Sequence, residues 1–369
     1  MKAEKTAGPP AAGQTAAAGQ TTAAAKTAGP PGAVSGGRAS YGQDENGFLT
    51  WSWPAVTWTF RPGQVYLAGI LNVTPDSFSD GGRFLAPEAA WRRGLALAEE
   101  GADMIDVGGQ STRPGHVPVS EDEELARVLP VLTALRRALP PAALISLDTD
   151  KAAVAAKVFA AGLADILNDE SGGDIRMAAV AAKYAAPIVL MHRPRVEGRG
   201  SPAAVGEDLA ATRLSYEAQG ASRRQIALDP GLGFGKTLEE NLRLLAAGGA
   251  LADLGCPVYI GASRKSFVGL ATATERADQR LGGSLTAALW AAAAGASFLR
   301  VHDVAVTAAA LKMFQTLRQL RPEGVAWPEP AADGKKTAPP VGEKAAAPVG
   351  KKAARSDGEK ALRSDGERI

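Results

Sequence analysis

Eight short apolar runs recur along the central part of the chain, and each leads into polar residues. They read VYLAGILN, DMIDVGG, ALISLD, ADILND, PIVLMH, IALDPG, PVYIGAS and ASFLRVHD, in that order between residues 65 and 303. Ala-rich segments long enough for a helix separate them. Near-continuous apolar runs are typical of strands buried on both faces, and their alternation with helices predicts a parallel sheet with right-handed crossovers.

Closing eight strand–helix units on themselves gives a (β/α)8 TIM barrel, which is the α/β fold that we predict; an open, doubly wound sheet is the runner-up. In such a barrel the active site lies at the carboxyl ends of the strands and in the loops that follow. The polar side chains at or just beyond the ends of the runs are Asn72, Asp106, Asp148, Asn168, Asp229, Lys265, Arg300 and His302. The pattern therefore predicts one rim on which this chemistry is gathered.

The composition changes at both ends of the chain. Residues 1–46 are mostly Ala, Gly, Thr and Pro, and residues 331–369 are rich in Lys, Ala, Pro and Gly. Neither segment can bury enough apolar surface to offset its ordering entropy, so both are predicted to be disordered tails around a barrel domain of residues 47–330. The chain has a formal net charge of +2, and the two tails carry +1 and +3. The barrel domain therefore has a net charge of −2. With no basic patch on the domain, we expect no nucleic-acid partner.

Other features bear on location. The longest apolar stretch, LTAALWAAAAGASFL from Leu285, is too short to span a membrane and divides into a helix and a strand. The N-terminal segment lacks the apolar core of a signal peptide. The single cysteine, Cys256, cannot form an internal disulfide and is expected to pack in the interior. These features predict a cytoplasmic protein with no membrane partner.

Ahead of the first run, FLTWSWPAV and TWTFRPG are rich in residues that favour strands, with Pro54 near the point where they meet. They predict a short β-hairpin that covers the amino-terminal mouth of the barrel. A surface on which a ligand stacks against the three tryptophans is the alternative. The position directly before the first barrel strand favours the covering role.

Two loops after the first strands have the composition of binding loops. Residues 72–82, NVTPDSFSDGG, are polar and end in a glycine pair, which is typical of a mobile loop over a site. Residues 108–115, GGQSTRPG, combine glycines and two hydroxyls with Arg113. Glycines let backbone N–H groups approach an anion, and arginine binds phosphate through paired hydrogen bonds. An ordinary loop with an exposed arginine is the alternative for the second segment.

Five segments occur in the order LNVTPDSFSDGG, GGQSTRPG, LDPGLGFGKT, SRKSFVG and RVHDV, and they resemble the motifs of the dihydropteroate synthase family, the sulfonamide target of folate biosynthesis. The resemblance covers about residues 64–320. It implies a transferase that condenses 6-hydroxymethyl-7,8-dihydropterin pyrophosphate with p-aminobenzoate to give 7,8-dihydropteroate and pyrophosphate. It also implies Mg2+ as cofactor and a homodimer through the late helices, which the Ala-rich stretch 285–295 permits.

The pterin end of such a site follows from the ligand. A pterin ring has a row of alternating donors and acceptors, which suits buried carboxylates and amides. By resemblance, the residues that bind it are Asp148, Asn168, Met191, Asp229, Phe234 and Lys265. Asp229 would be the main acceptor, with Lys265 paired to it. A helix cap is the plainer interpretation of Asp148, and ordinary packing is the plainer one of Met191 and Phe234.

The residues expected to bind diphosphate and p-aminobenzoate lie at the ends of the other strands and in the loops after them. The resemblance implies that Arg300 and His302 bind the departing diphosphate, and that Asn72 holds Mg2+ together with diphosphate oxygens. The residues expected around p-aminobenzoate are Phe78, Thr112, Arg113 and Ser266. The catalytic residues implied are Asn72, Lys265, Arg300 and His302.

No serine or cysteine nucleophile is needed, because an electron-rich pterin can stabilise a cationic methylene as diphosphate leaves; catalysis is then positioning and charge stabilisation. A noncatalytic pterin-binding paralogue and a methyltetrahydrofolate-dependent methyltransferase are the other hypotheses. The residues suited to a leaving anion favour the synthase. The chain departs from the family's usual motifs at Gln110, where glutamate is usual, and at Glu170, in a commonly apolar position.

Overall fold

A closed barrel of eight parallel strands is the centre of the computed structural model, which describes residues 38–74, 86–110, 118–194, 196–247, 251 and 253–320. The strands are β4 (Tyr66–Asn72), β5 (Met104–Gly108), β6 (Leu144–Thr149), β7 (Ile166–Asp169), β8 (Ile188–Met191), β9 (Ile226–Asp229), β10 (Tyr259–Ile260) and β11 (Phe298–Val301). Their order is β10-β11-β4-β5-β6-β7-β8-β9, and a parallel bridge between Leu228 and Val258 joins the two ends. The predicted (β/α)8 barrel is confirmed, and the open sheet is excluded.

Nine α-helices are found in the described part of the chain. They are α1 (Ala86–Glu99), α2 (Glu121–Ala138), α3 (Ala152–Ala160), α4 (Ile175–Tyr184), α5 (Pro202–Ala218), α6 (Leu238–Ala246), α7 (Ser266–Thr272), α8 (Leu281–Ala293) and α9 (Val304–Gln319). Local signals set several starts: the Ser120 hydroxyl accepts from the Glu123 N–H before α2, and Thr237 forms a capping box with Glu240 before α6. The apolar stretch from Leu285 divides into α8 and β11, as predicted.

A three-stranded antiparallel sheet precedes the barrel. Its strands are β1 (Ser40–Gln43), β2 (Leu49–Trp53) and β3 (Val56–Thr59), in that order. The predicted hairpin is therefore present as β2 and β3. The prediction of a disordered tail to residue 46 is wrong for β1, because Tyr41 is tied down: its hydroxyl donates to the Ala185 carbonyl at 2.8 Å and its ring lies edge-on to Trp51. Residues 1–37 and 321–369, which hold most of both predicted tails and the predicted domain end at 330, lie outside the described residues.

The small sheet closes the amino-terminal mouth of the barrel. Trp51 and Trp58 are completely buried in a cluster with Phe298 and with the first inward-facing residues of the other strands. The Trp51 indole N–H donates to the Arg224 carbonyl at 2.7 Å, and the Trp58 ring stacks on Tyr66 at 4.7 Å between centroids. A buried tryptophan whose indole N–H donates to the protein backbone, as that of Trp51 does, is typical of packing. The covering role of the hairpin is confirmed, and the stacking surface for a ligand is excluded.

Alternation along the strands decides which side chains enter the barrel. On β11, Phe298 belongs to the cluster at the mouth, Leu299 and Val301 face the helices, and Arg300 points inward above Phe298. An apolar floor therefore lies directly beneath a polar layer. Cys256 is buried, as expected, and burial raises the pKa of its thiol.

No helix within the described residues is both long and apolar enough to cross a membrane.

The buried carboxyl of Asp169, at the end of β7, should make the stability of the fold depend on pH. Burial raises its pKa to about 6, against hydrogen bonds from the Ser171 N–H at 2.8 Å and the Tyr216 hydroxyl at 2.5 Å. Because the folded pKa lies above the ordinary value, the protonated acid stabilises the fold at acid pH, and this contribution is lost as pH rises through about 6. Relative to Asp169→Asn, the wild type should lose about 2 kcal/mol of unfolding free energy between pH 4 and pH 7.

Urea unfolding of both proteins at several pH values measures that difference. A difference that stays constant from pH 4 to pH 7 would show that Asp169 titrates as an ordinary carboxylate.

Candidate functional site

The carboxyl ends of the strands bring the predicted polar residues to one rim. Strand register places Gly108 beside Asp148, Asp148 beside Asn168, and Met191 beside Asp229. Asp148, Asn168, Met191 and Asp229 are all buried. Because they end consecutive strands of one barrel, they line a common interior surface.

Arg300 joins the two sides of this surface. Its Nε donates to Asp106 Oδ2 and its Nη2 donates to Asp148 Oδ2, both at 2.5 Å. The Asn168 amide donates to the same Asp106 oxygen at 3.1 Å and to Asp148 Oδ1 at 3.2 Å. The four side chains form one connected polar layer across the barrel. Charge-assisted bonds of this kind are short and hold the groups in a fixed geometry.

Burial and charge set the protonation states in the layer. Burial raises the pKa of Asp148, and the neighbouring Glu170 carboxylate raises it further, whereas the Arg300 guanidinium opposes both. Burial also works against the charge on Arg300, but Asp148 and Asp106 together raise its pKa above the ordinary value. Arg300 is therefore cationic, and Asp148 holds a proton more readily than an exposed aspartate does. Such a layer can both accept and donate hydrogen bonds to a heterocycle.

Asp229 at the end of β9 and Lys265 beyond β10 form a second wall of the site. Asp229 Oδ1 accepts from the Gly231 N–H at 2.7 Å, and burial raises the Asp229 pKa while the Lys265 charge lowers it. Asp229 and Lys265 act on each other through their charges, and the Lys265 ammonium donates its hydrogen bond to the Leu232 carbonyl at 2.5 Å. It also lies 4.6 Å from the centre of the Phe234 ring. Both contacts come from the loop after β9, which turns a carbonyl and an aromatic face toward the ammonium.

That loop depends on Gly231. Its φ of +66° is a left-handed conformation, and a β-carbon there would lie 1.9 Å from the His192 carbonyl oxygen. Glycine is thus required twice, for backbone shape and for space. His192 itself is buried, and its Nε2 lies 3.2 Å from Asp208 Oδ2.

His302 lies just beyond β11, where Ser263 holds it. Its Nδ1 is 3.0 Å from the Ser263 hydroxyl, which also accepts from the His302 backbone N–H at 3.2 Å. Arg300 and His302 therefore serve different partners on the same rim. Within the described residues, Nε and Nη2 of Arg300 have acceptors and Nη1 has none.

Asn72 and Ser266 are the predicted diphosphate-side and p-aminobenzoate-side residues that lie within the described part of the chain. Asn72 is half-buried at the end of β4, and its amide forms no hydrogen bond with any residue that the structure describes. Ser266 is exposed as the first residue of α7. Phe78, Thr112 and Arg113 lie outside the described residues. In the described ranges, no group of three or more His, Cys, Asp or Glu side chains could hold a metal ion.

Several residues of the site were not assigned a role from the sequence. The sequence predicts Asp106 on the rim but no function for it, although its alternation with the apolar residues of DMIDVGG turns it inward. It predicts no role for Ser263 or Lys236. Gln110 accepts from the Val119 N–H at 3.0 Å and from the Lys151 ammonium at 2.8 Å, so its amide joins the two sides of the second loop.

The chain belongs to the pterin binding enzyme family, whose model matches residues 68–302. A dihydropteroate synthase of Synechocystis is 41% identical over 269 residues, which cover 69% of this chain and 90% of that protein. The dihydropteroate synthase of Xanthomonas albilineans has been solved with 4-aminobenzoic acid (42% identity, TM-score 0.67, 71% of this chain and 97% of that one). It has also been solved with 7,8-dihydropteroate (41% identity, TM-score 0.65, 72% and 97% coverage). The Yersinia pestis enzyme, solved with a sulfonamide drug complex, is 37% identical, with a TM-score of 0.64 and 71% and 97% coverage.

The geometry at Gly231 gives a prediction. Gly231→Ala should lower the unfolding free energy by about 2 kcal/mol or more and weaken pterin binding, because the β-carbon must push β8 and the loop apart. Gly206→Ala is the matched control: Gly206 lies inside α5, where a β-carbon meets no atom within 4 Å. That change should stabilise the fold by about 0.5–1 kcal/mol. Chemical denaturation measures both, and equal effects of the two changes would contradict the steric account.

Proposed function

We propose that this protein is a dihydropteroate synthase, which joins 6-hydroxymethyl-7,8-dihydropterin pyrophosphate to p-aminobenzoate and releases pyrophosphate. The observation that carries the proposal is the buried polar layer of Asp106, Asp148, Asn168 and Arg300 facing Asp229 and Lys265. Relatives of the same family and fold, similar over nearly their whole length, are dihydropteroate synthases. This similarity favours the synthase over the noncatalytic paralogue and over the methyltransferase.

The pterin would bind between the two walls. Asp229 has one carboxylate oxygen occupied by the Gly231 N–H, so its second oxygen is the acceptor for the ring N–H and amino groups. Asn168 and Asp148 would meet the adjoining edge of the heterocycle. Lys265 would donate to the ring carbonyl, while Phe234 and Met191 supply apolar contact. Buried carboxylates and amides that are already fixed by hydrogen bonds bind such an edge with little reorganisation.

Negative charge develops on the diphosphate as it leaves, so this step is favoured by cationic groups nearby. The arylamine nitrogen forms a bond to the pterin methylene carbon as the carbon–oxygen bond to diphosphate breaks, and the nitrogen then releases a proton to solvent. Nη1 of Arg300 and the His302 ring are the proposed protein contacts for the diphosphate oxygens. Positioning and charge stabilisation suffice for this displacement, with no covalent enzyme intermediate.

Mg2+ is proposed as the cofactor, held by Asn72 together with diphosphate oxygens. The donor set fits, because Mg2+ binds through few protein ligands when a substrate supplies phosphate, and Asn72 offers one amide oxygen at the strand end. When bound, the ion would neutralise charge that develops on the leaving diphosphate. Ser266 is the proposed contact for p-aminobenzoate on the described side of the cavity, and Phe78, Thr112 and Arg113 stay predictions.

A homodimer through the last helices is also proposed. On α9 and directly after it, Val306, Met313, Leu317 and Leu320 are 44%, 58%, 55% and 75% exposed, and their spacing of seven, four and three residues puts them on one face. Exposed apolar side chains grouped on one helix face are typical of a protein interface. A second copy of the chain would cover this face symmetrically.

The activity is tested by mixing purified full-length protein with Mg2+, the pterin pyrophosphate and p-aminobenzoate. Dihydropteroate should form, and Asp229→Asn should lower kcat/KM by about 100-fold, because a charge-assisted acceptor is lost. Asp278→Asn, which changes an exposed carboxylate outside the barrel, should leave kcat/KM unchanged. A wild-type protein that forms no product, or two variants with equal activity, would contradict the proposal.

The dimer is tested by light scattering after size-exclusion chromatography. Leu317→Lys should shift the protein toward monomer, because a charge would enter the apolar interface. Leu214→Lys, at a leucine of similar exposure (57%) on α5, should leave the dimer intact. A wild-type monomer at micromolar concentration would refute the proposed interface.

A further inference from the structure

The loop after β9 has a cation at its centre. The Lys236 ammonium donates to the carbonyls of Gly231 at 2.8 Å, Phe234 at 3.2 Å and His192 at 3.4 Å. Two of these acceptors belong to the loop itself, and the third lies at the end of β8. An ammonium has three N–H donors, so the three carbonyls match its full capacity.

The backbone of this loop explains why its carbonyls turn inward. Gly231, Gly233 and Gly235 have φ values of +66°, +83° and +57°, which are left-handed conformations. These turns direct the carbonyls of Gly231 and Phe234 toward the Lys236 ammonium instead of into regular backbone hydrogen bonding. The buried Asn241 side chain completes the support: its oxygen accepts from the Gly233 N–H at 2.6 Å, and its nitrogen donates to the Lys236 carbonyl at 3.2 Å.

The loop carries two contacts of the pterin wall. Its Leu232 carbonyl accepts from Lys265, and its Phe234 ring lies under the same ammonium. A shift of the loop would therefore move both groups that contact the Lys265 ammonium. Within the described residues, the Lys236 ammonium itself forms hydrogen bonds only with backbone carbonyls and none with Asp229 or Lys265.

We propose that Lys236 is a positioning residue for pterin binding, which holds the 231–235 segment so that the Leu232 carbonyl and the Phe234 ring keep Lys265 aimed at the ligand. This inference rests on the proposed function, since it takes the heterocycle bound beside Asp229 to be a pterin. It assigns Lys236 an indirect role: no contact with substrate and no part in proton transfer.

The charge on Lys236 is sensitive to pH near neutrality. Burial lowers its pKa to about 8 from the ordinary 10.5; the Lys265 charge lowers it further, and Asp229 and Glu240 oppose the change. The neutral amine that forms as pH rises through 8 has only two donors for three carbonyls. Lys236 in turn lowers the pKa of the neighbouring His192, beyond the larger effect of burial. Within the described residues, these are the ionisable groups whose charges act on the Lys236 ammonium or are acted on by it.

The test compares full-length wild type with Lys236→Met and Lys236→Arg, using 7,8-dihydropteroate as the probe in calorimetric titrations. Lys236→Met should weaken binding about 10- to 100-fold, as expected for the loss of charge-assisted hydrogen bonds. Lys236→Arg should restore part of the affinity. Lys312→Met, at an exposed lysine of α9, is the matched control and should bind like wild type.

A pH series separates positioning from a general loss of stability. Wild-type affinity should fall more steeply than that of Lys236→Met between pH 7 and pH 9, and the imidazole pKa of His192, followed by NMR, should rise in the variant. If Lys236→Met does not fold, Lys236→Gln, with two donors, takes its place in the same series. Affinity within twofold of wild type, or parallel pH profiles, would overturn the proposal.

The readouts also separate this inference from the assigned reaction. A wild-type protein that binds the probe but forms no dihydropteroate would refute the synthase activity and leave the role of Lys236 intact. A wild-type protein that binds no pterin would remove both.

Discussion

The site depends on one guanidinium that compensates two carboxylates inside the barrel. Asp106 is completely buried and Asp148 nearly so, and Arg300 donates to both. Isolated charges are strongly unfavourable in such an interior, and removing one partner of a buried pair costs about 3–5 kcal/mol. The pairing with Arg300 offsets the unfavourable free energy of burying Asp106 and Asp148 in the absence of a ligand. The two carboxylates can therefore lie inside the barrel, within reach of a heterocycle. Asn168 is oriented by the same two carboxylates, so its amide is also fixed in advance.

This polar layer is possible because the mouth beneath it is sealed. Trp51, Trp58 and Phe298 fill the amino-terminal end of the barrel and exclude water from it. The inward-facing positions above them can therefore be occupied by charged side chains. A low local dielectric strengthens each hydrogen bond in the layer. Stability and chemistry are thereby divided between the two ends of the same strands, as in barrels generally.

The sequence predicted the barrel well, because eight apolar runs with polar ends report both strand and direction. It placed Asp148, Asn168 and Asp229 on the rim for the same reason. It failed for β1, whose sequence SYGQ has little apolar character and whose order comes from the distant contact of Tyr41 with Ala185. The acceptors of Arg300, Asp106 and Asp148, could not be predicted, because periodicity along one strand does not identify partners on strands across the barrel. The Lys265 contact was missed because it depends on the turned carbonyls of a glycine loop.

The barrel is joined least firmly between β9 and β10. β10 pairs through only two residues, Tyr259 and Ile260, and a single bridge from Leu228 to Val258 connects it to β9. Local opening of a fold begins where the fewest backbone hydrogen bonds must break. This seam runs between the strand that ends in Asp229 and the strand that leads to Lys265. Opening of this junction would change the distance between Asp229 and Lys265, so the spacing of these two groups depends on the strand junction with the fewest backbone contacts.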